Sequence, residues 1–385
     1  MHGYAIVCIL GPPLAAAQAR GVPASALCRE GAIKFGYDSS MSKRRRSKPP
    51  KMVDIAELAG VHPSTISRAL AGSPLVAAKK REEILKLARE RGYVPNSAAR
   101  NLRLQRTQTI SVVIPLGHEA GQALTDPFFM EMIGYLADEI TQRGYGMFLQ
   151  KILPPMDDWL LRLIASRRTD GIIIIGQSTE HEAIEAAALN YQPLVVWGGP
   201  MEHQSYCAVG TDNLGGARVA VEHLIRTGRR QIIFLGDPTI PEIRLRHEGY
   251  KYALAHGPRG MGRERIVPAH LTADAAYEAM RAFVRDGGEM DAVFAATDVI
   301  AISAVRALVA SGLTVPGDVS VVGFDDITLA AHFHPALTTM RQDLPRGARI
   351  LVDLLFRRLN GENTPSATMQ AELIVRESST RPARP

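Results

Sequence analysis

The 385 residues predict an N-terminal all-α helix-turn-helix unit with a short hinge helix, followed by a two-lobed α/β unit with parallel sheets. Three observations lead there. Residues 52–103 carry apolar side chains at helical spacing, interrupted at Gly60 and Pro63. From Thr109 onward, near-continuous apolar runs alternate with amphipathic helices, the pattern of parallel strands covered on both faces. That alternation then runs through a second block, so the chain is long enough for two lobes with a cleft between them. Hydrophobic residues make up 46% of the chain, sufficient for large buried cores, and no apolar run approaches the length that spans a bilayer.

Residues 1–51 stand apart. Ala5 to Ala19 is mildly apolar but contains Pro12 and Pro13 and has no basic segment before it, so it does not read as a secretion signal. The expectation is an upstream extension, either disordered or arising from a misplaced start codon with Met41 as the natural start. Ser42 to Lys51, SKRRRSKPPK, is a basic arm suited to phosphate contacts. Between Ser42 and Arg106, sixteen Lys and Arg face five acidic residues, +11 net, whereas the whole chain carries +6, so the rest is acidic. Basic charge is concentrated where a polyanion would bind. Cys8, Cys28 and Cys207 are too few and too scattered for a disulfide framework or a metal site, which fits a reducing cytoplasm.

In the first folded unit, Val53, Ile55, Ala56, Leu58 and Ala59 give a helix over 53–59, ended by Gly60. Val61 turns the corner. Pro63 suits the first position of a second helix, about Pro63 to Ala71, in which Ile66 and Leu70 face the core while Pro63, Ser64, Ser67 and Arg68 face away. A generic hairpin with that face in water would read the same; so would a helix aimed at a major groove. A third helix spans about Val76 to Arg91, with Ile84, Leu85, Leu87 and Ala88 inward and Gly92 after it. Asn96 can cap a short helix to Leu102, which is too brief to persist alone and needs a partner or a surface.

From Thr109, strands at Ile110–Leu116, Gly146–Leu149, Gly171–Ile175 and Pro193–Trp197 alternate with helices at Phe128–Arg143, Asp157–Ser166 and Glu180–Leu189. The second block repeats this, with strands at Gln231–Leu235, Arg265–Val267, Ala292–Ala295 and Val319–Phe324. Its helices run over Leu214–Thr227, Arg244–Ala255, Ala273–Arg285 and Val299–Ser311. A cleft of such a fold is lined by residues just beyond the carboxyl ends of strands.

The run DIAELAGVHPSTISRAL, the third helix, GYVPNSAARNLR and then RTQTISVVIP resemble the lactose-repressor/galactose-repressor (LacI/GalR) family of bacterial transcription regulators, over essentially Val53 to Ser378. The resemblance implies a sequence-specific, dimeric, ligand-controlled DNA-binding protein with a periplasmic-binding-protein-like core. It places Pro63, Ser64, Thr65, Ser67, Arg68 and Tyr93 on operator DNA, together with Asn96, Ala99, Arg100 and Leu102 of the hinge. Arg68 suits a guanine edge, Pro63 an apolar contact, and Leu102 a wedge in the minor groove. Two residues depart from the family. His62 stands where a Ser or Thr usually caps the recognition helix, and Ala77 where one opens the third, a loss of about 1 kcal/mol of capping at each.

The resemblance also divides the chain: arm and extension 1–51, headpiece 52–95, hinge and linker 96–108, core 109–379 and tail 380–385. Lobe 1 is expected at about 109–209 plus 342–361 and lobe 2 at 211–340 plus 366–379. The chain would cross near 209–211, 340–342 and 361–366. Family motifs place Asp126 and Phe128, Arg246, Thr297, Asp298 and Asp325 in the cleft, and Trp197, at a strand end, is a candidate stacking ring. An arginine fork, one or two carboxylates and flat apolar faces are the chemistry that holds a mono- or disaccharide.

No catalytic set emerges, and no cofactor or metal is implied. His181-Glu182 lacks a second zinc-ligating His, Gly198-Gly199 is not a phosphate loop, and no Gly-x-Ser-x-Gly elbow occurs. Asp325 and Asp326 resemble a paired acid but should point to opposite sides of a strand end. The expectation is therefore a cytoplasmic repressor acting as a homodimer on a pseudopalindromic operator. The alternatives are a solute-binding protein of a sugar transporter, or a corepressor-dependent regulator sensing a nucleobase or a phosphorylated metabolite.

Overall fold

A computed structural model describes residues 50–93, 106–116, 122–152, 158–201, 203–259, 261 and 263–380. The extension, most of the basic arm and the expected hinge helix, with Asn96, Ala99, Arg100 and Leu102, lie outside the described residues. The chain divides into two compact units, 1–95 and 96–385.

In the first unit, α1 (Met52–Ala59), α2 (Pro63–Leu70) and α3 (Ala78–Glu90) close around Ile55, Ala56, Ile66, Ala69 and Ile84. Gly60 ends α1 in the left-handed region (φ 63°), and its N–H reaches back to Ala56 and Glu57, so the corner needs its missing Cβ. Val53 and Leu58, read as part of the apolar stripe of α1, are both half exposed. An eight-residue helix against two neighbours buries only one narrow stripe, which Ile55, Ala56 and Ala59 already occupy.

The second unit holds two six-stranded sheets. In lobe 1, β1 (Thr109–Pro115), β2 (Gly146–Ile152), β3 (Gly171–Ile175), β4 (Leu194–Trp197), β5 (Cys207–Thr211) and β11 (Ala367–Met369) are ordered β11-β5-β4-β3-β1-β2, all parallel. Separate apolar clusters cover its two faces. Helices α4 (Pro127–Gln142) and α12 (Leu344–Leu359) lie on one face; α5 (Trp159–Ala165) and α6 (His181–Ala188) lie on the other.

Lobe 2 contains β6 (Ile232–Leu235), β7 (Ile266–Val267), β8 (Ala292–Ala295), β9 (Ser320–Asp325), β10 (Thr338–Arg341) and β12 (Glu372–Ile374), ordered β12-β10-β9-β8-β6-β7. Only β12 runs antiparallel, a departure from the purely parallel sheet expected. Its helices are α7 (Asn213–Arg226), α8 (Pro241–Ala255), α9 (Ala273–Arg285), α10 (Asp298–Ala310) and α11 (Thr328–His332). The chain crosses between sheets after Thr211, after Arg341 and after Met369. The third crossing, expected at 361–366, falls later because Ala367–Met369 still pairs with β5 before Glu372 joins β10.

Candidate ligand cleft and nucleic-acid interface

Between the lobes lies a cavity of about 800 Å³, counted with its opening to solvent. Six of the seven residues expected there line it: Asp126, Phe128, Trp197, Arg246, Thr297 and Asp325.

Asp126 caps α4, its Oδ1 accepting from the Phe128 N–H at 3.0 Å, with Pro127 at the first helical position. Burial raises its pKa above the usual carboxylate range, against the hydrogen bonds from Phe128 and Gln122. Phe128 packs against the apolar cores of both lobes. Trp197 is mostly core: its ring lies on Gly347 of α12, where any Cβ would strike it, and 5% remains exposed. It also lines the cavity wall.

Arg246 comes from α8, which approaches α7 closely at Gly249, where an added Cβ would meet the Leu214 carbonyl. That explains the glycine three residues after Arg246. Next to it, Tyr250 is fully buried, donating to the Ile232 carbonyl at 2.9 Å and accepting from the Arg265 N–H at 3.0 Å. The Arg246 guanidinium donates from Nε to Asn213 Oδ1 at 2.8 Å and from Nη1 to the Ala296 carbonyl at 2.5 Å. It lies 3.8 Å over the Phe324 ring and 3.5 Å from Asp325 Oδ1. Burial pulls its pKa down from the usual arginine value, and Asp325 is the largest opposing influence.

Asp325 ends β9 with φ 126°, and Asp326 follows with φ 57°. Non-glycine residues in this region store about 1–3 kcal/mol each, a cost met at functional corners. The turn sends the two carboxylates apart. Asp325 meets Gln342 Nε2 at 2.7 Å in the cleft, while Asp326 accepts from Arg341 at 2.7 Å and pairs with Arg376 at 2.7 Å. Burial pushes Asp325 up to about 7, with Arg246 and Gln342 pulling back.

Asp298 departs from the expectation. It is fully buried and absent from the cavity wall, its Oδ2 accepting from the Ile327 N–H at 3.0 Å and its Oδ1 from Thr339 Oγ1 at 2.6 Å. The first turn of α10 points it back into lobe 2, where it braces the β9–α11 corner. Its neighbour Thr297 caps α10 and stays at the wall.

The cleft also recruits residues that the motifs did not single out. Thr211 and Asn213 sit at the first crossing and Gln342 at the second, so the topology itself supplies the floor of the cleft. Among the described residues, Gln122 Oε1 and Thr211 Oγ1 are buried without a hydrogen-bond partner. Glu242, in the first turn of α8, accepts from the Gln177 N–H across the cleft at 3.3 Å. Polar residues at chain crossings were the available signal.

In the first unit, Ser64 and Arg68 are exposed on α2, Pro63, Thr65 and Ser67 are half-buried, and Ile66 and Ala69 face inward. Tyr93 is half-buried against the headpiece core, and burial raises its pKa. His62 corrects one expectation. Its Nδ1 accepts from the Ser64 N–H at 3.3 Å and lies 2.9 Å from Ser64 Oγ, so the imidazole caps the helix in place of a hydroxyl. Ala77 makes no side-chain cap, as its methyl group requires.

A profile of bacterial regulatory proteins of the lacI family matches residues 51–96, and one of periplasmic binding protein-like domains matches 221–379. The HTH-type transcriptional regulator CelR of Thermobifida fusca is 33% identical over 350 residues, covering 88% of this chain and 100% of that protein. Among solved structures, a CelR-cellobiose complex superposes with a TM-score of 0.63 at 30% identity, over 86% of this chain and 99% of that one. A lac repressor dimer bound to operator and the anti-inducer ONPF superposes with a TM-score of 0.76 at 25% identity, over 87% and 100%. A helix-turn-helix unit, a two-lobed core and identity spread over the whole of CelR lead to one statement: the chain belongs to the LacI family of bacterial regulatory proteins.

Proposed function

We propose that this protein is a cytoplasmic transcriptional repressor that binds a pseudopalindromic operator as a homodimer and is controlled by a neutral polyhydroxylated effector, a mono- or disaccharide, in the cleft. The observation that carries the effector class is the balance of charge and acceptors in the wall. Among the described residues, Asp126, Glu242 and Asp325 oppose Arg246, and Gln122 Oε1, an acceptor, and Thr211 Oγ1, a hydroxyl able to accept or donate, have no hydrogen-bond partner. A sugar is rich in hydroxyl donors, and buried acceptors left unpaired cost roughly 1–3 kcal/mol each. A phosphorylated metabolite would add charge to a wall already in carboxylate excess, so the corepressor reading is disfavoured. The headpiece, in turn, has no place in a transporter's solute-binding protein.

Binding of a cleft ligand stabilises the folded core by mass action, about 2.7 kcal/mol at a hundred times Kd. A thermal-shift panel of mono- and disaccharides, with ribose 5-phosphate and free purines beside them, therefore tests the reading. One or more neutral saccharides should raise Tm and alter operator retention in a gel shift. A panel in which only the phosphate ester or a purine shifts Tm would overturn it.

A further inference from the structure

Resting on the DNA-reading role of α2, we propose that His62 is a specificity-determining residue: its imidazole and the Ser64 hydroxyl act together as a donor and an acceptor on base edges in the major groove. A backbone N–H can only donate, so the 3.3 Å contact from Ser64 N makes His62 Nδ1 the acceptor, and the neutral ring carries its proton on Nε2. Ser64 Oγ, 2.9 Å from the same nitrogen, then donates to it and turns its lone pairs outward. The pair thus presents one N–H donor and one hydroxyl acceptor, held by each other in a fixed relation. Both residues are exposed, as is Arg68 one turn further along, and His62 Nε2 has no partner among the described residues.

A serine or threonine cap satisfies the same helix N–H with one lone pair and keeps its O–H donor close against the helix end, whereas the ring carries its remaining donor on the far side from the cap. An imidazole uses one nitrogen for the cap and keeps the other for a ligand. Adjacent acceptor and donor groups on major-groove edges, as adenine N7 and N6 present them, complement this arrangement. The two functions of His62, capping and reading, are separable by substitution.

The test is selection of operators from a random duplex library by the full chain and by His62→Ser, followed by binding titrations of both proteins on the wild-type consensus. Serine keeps the cap, which equal helicity and Tm would verify, and removes the ring with its outward Nε2 donor. The expected result is loss of preference at one position in each half-site and an affinity on the wild-type consensus lower by roughly 5- to 150-fold. An unchanged consensus with affinity within twofold reduces His62 to a cap and overturns the proposal. A uniform loss across all sequences assigns the donor to a phosphate and overturns it too. If the wild-type protein enriches no sequence, the DNA-reading role itself fails, and that outcome is distinct from either.

Discussion

Truncating Arg246 to alanine tests the cleft from the inside. The substitution removes donors to Asn213 Oδ1 at 2.8 Å and the Ala296 carbonyl at 2.5 Å, and the 3.8 Å contact with the Phe324 ring. It also leaves Asp325 without the cation 3.5 Å away. Removing one member of a buried charged pair costs about 3–5 kcal/mol, and the individual bonds would add to more. They share one side chain, and Asp325 can take up a proton when its cation is gone, so the lower end applies, about 3 kcal/mol. For a lobe of this size that is a fall in Tm of roughly 6–12 °C. Differential scanning fluorimetry of the full chain at pH 7.5 reads the stability. A gel shift with the saccharide most stabilising to the wild type reads the effector response. Arg246→Ala should retain operator binding below its lowered Tm and lose that response; Arg246→Lys, which keeps the charge but not the fork, should recover stability better than response. A Tm within 2 °C of wild type, or an intact response, would refute the placement of this guanidinium at the centre of the site.

Three further outcomes follow from the same geometry. Gly249→Ala sets a methyl group against the Leu214 carbonyl and, at 2.8 Å, the Ala217 Cβ; overpacking of backbone costs about 1–3 kcal/mol, and effector affinity should fall as α8 tilts away. Because burial holds Asp325 at about 7, above an unfolded carboxylate, its contribution to stability is fully present below pH 4 and is lost as pH rises towards 7; Tm measured from pH 5 to 8 should decline less steeply in Asp325→Asn. Glu131→Gln weakens the acceptor that meets the Thr328 N–H across the cleft at 2.8 Å, so small-angle scattering of the unliganded protein should show a larger radius of gyration, an unchanged radius removing that contact from the closed state.

Much of this architecture was legible because its signals are local. Strands such as Gly171–Ile175 are unbroken apolar runs, and Gly60 and Pro63 mark the headpiece corner directly. The cleft residues Arg246 and Asp325 are legible through the motifs that the family resemblance supplies, not through periodicity. What periodicity does not carry is direction at a single residue. Asp298 and Thr297 are adjacent, yet the cap geometry of α10 sends one to the wall and the other into lobe 2. The third crossing is not marked in the sequence because β11 has only three residues, too few for alternation to register, and its membership is decided by pairing with β5. His62 falls outside a ranking of caps by residue type, because its Nδ1 does the work of a hydroxyl once Ser64 N lies in reach.

The distribution of these contacts also bears on how a small molecule could control the protein. Lobe 2 has one apolar core and lobe 1 has two, one on each face of its sheet, each continuous with the helices that cover it. Across the cleft, by contrast, Phe128 touches a core of each lobe, Glu131 meets Thr328 N, and Glu242 meets Gln177 N. Exchanged for water, hydrogen bonds of this kind contribute about 1 kcal/mol each, so closure rests on a few kcal/mol set beside lobe cores far larger. A coupling of about 1–3 kcal/mol, enough for 5- to 150-fold regulation, is then of the same size as the closure energy itself. Glu242 is both a cross-cleft contact and part of the cavity wall. A hydroxyl that binds it competes with Gln177 N for one carboxylate, and so acts on the lobe equilibrium without distorting either core.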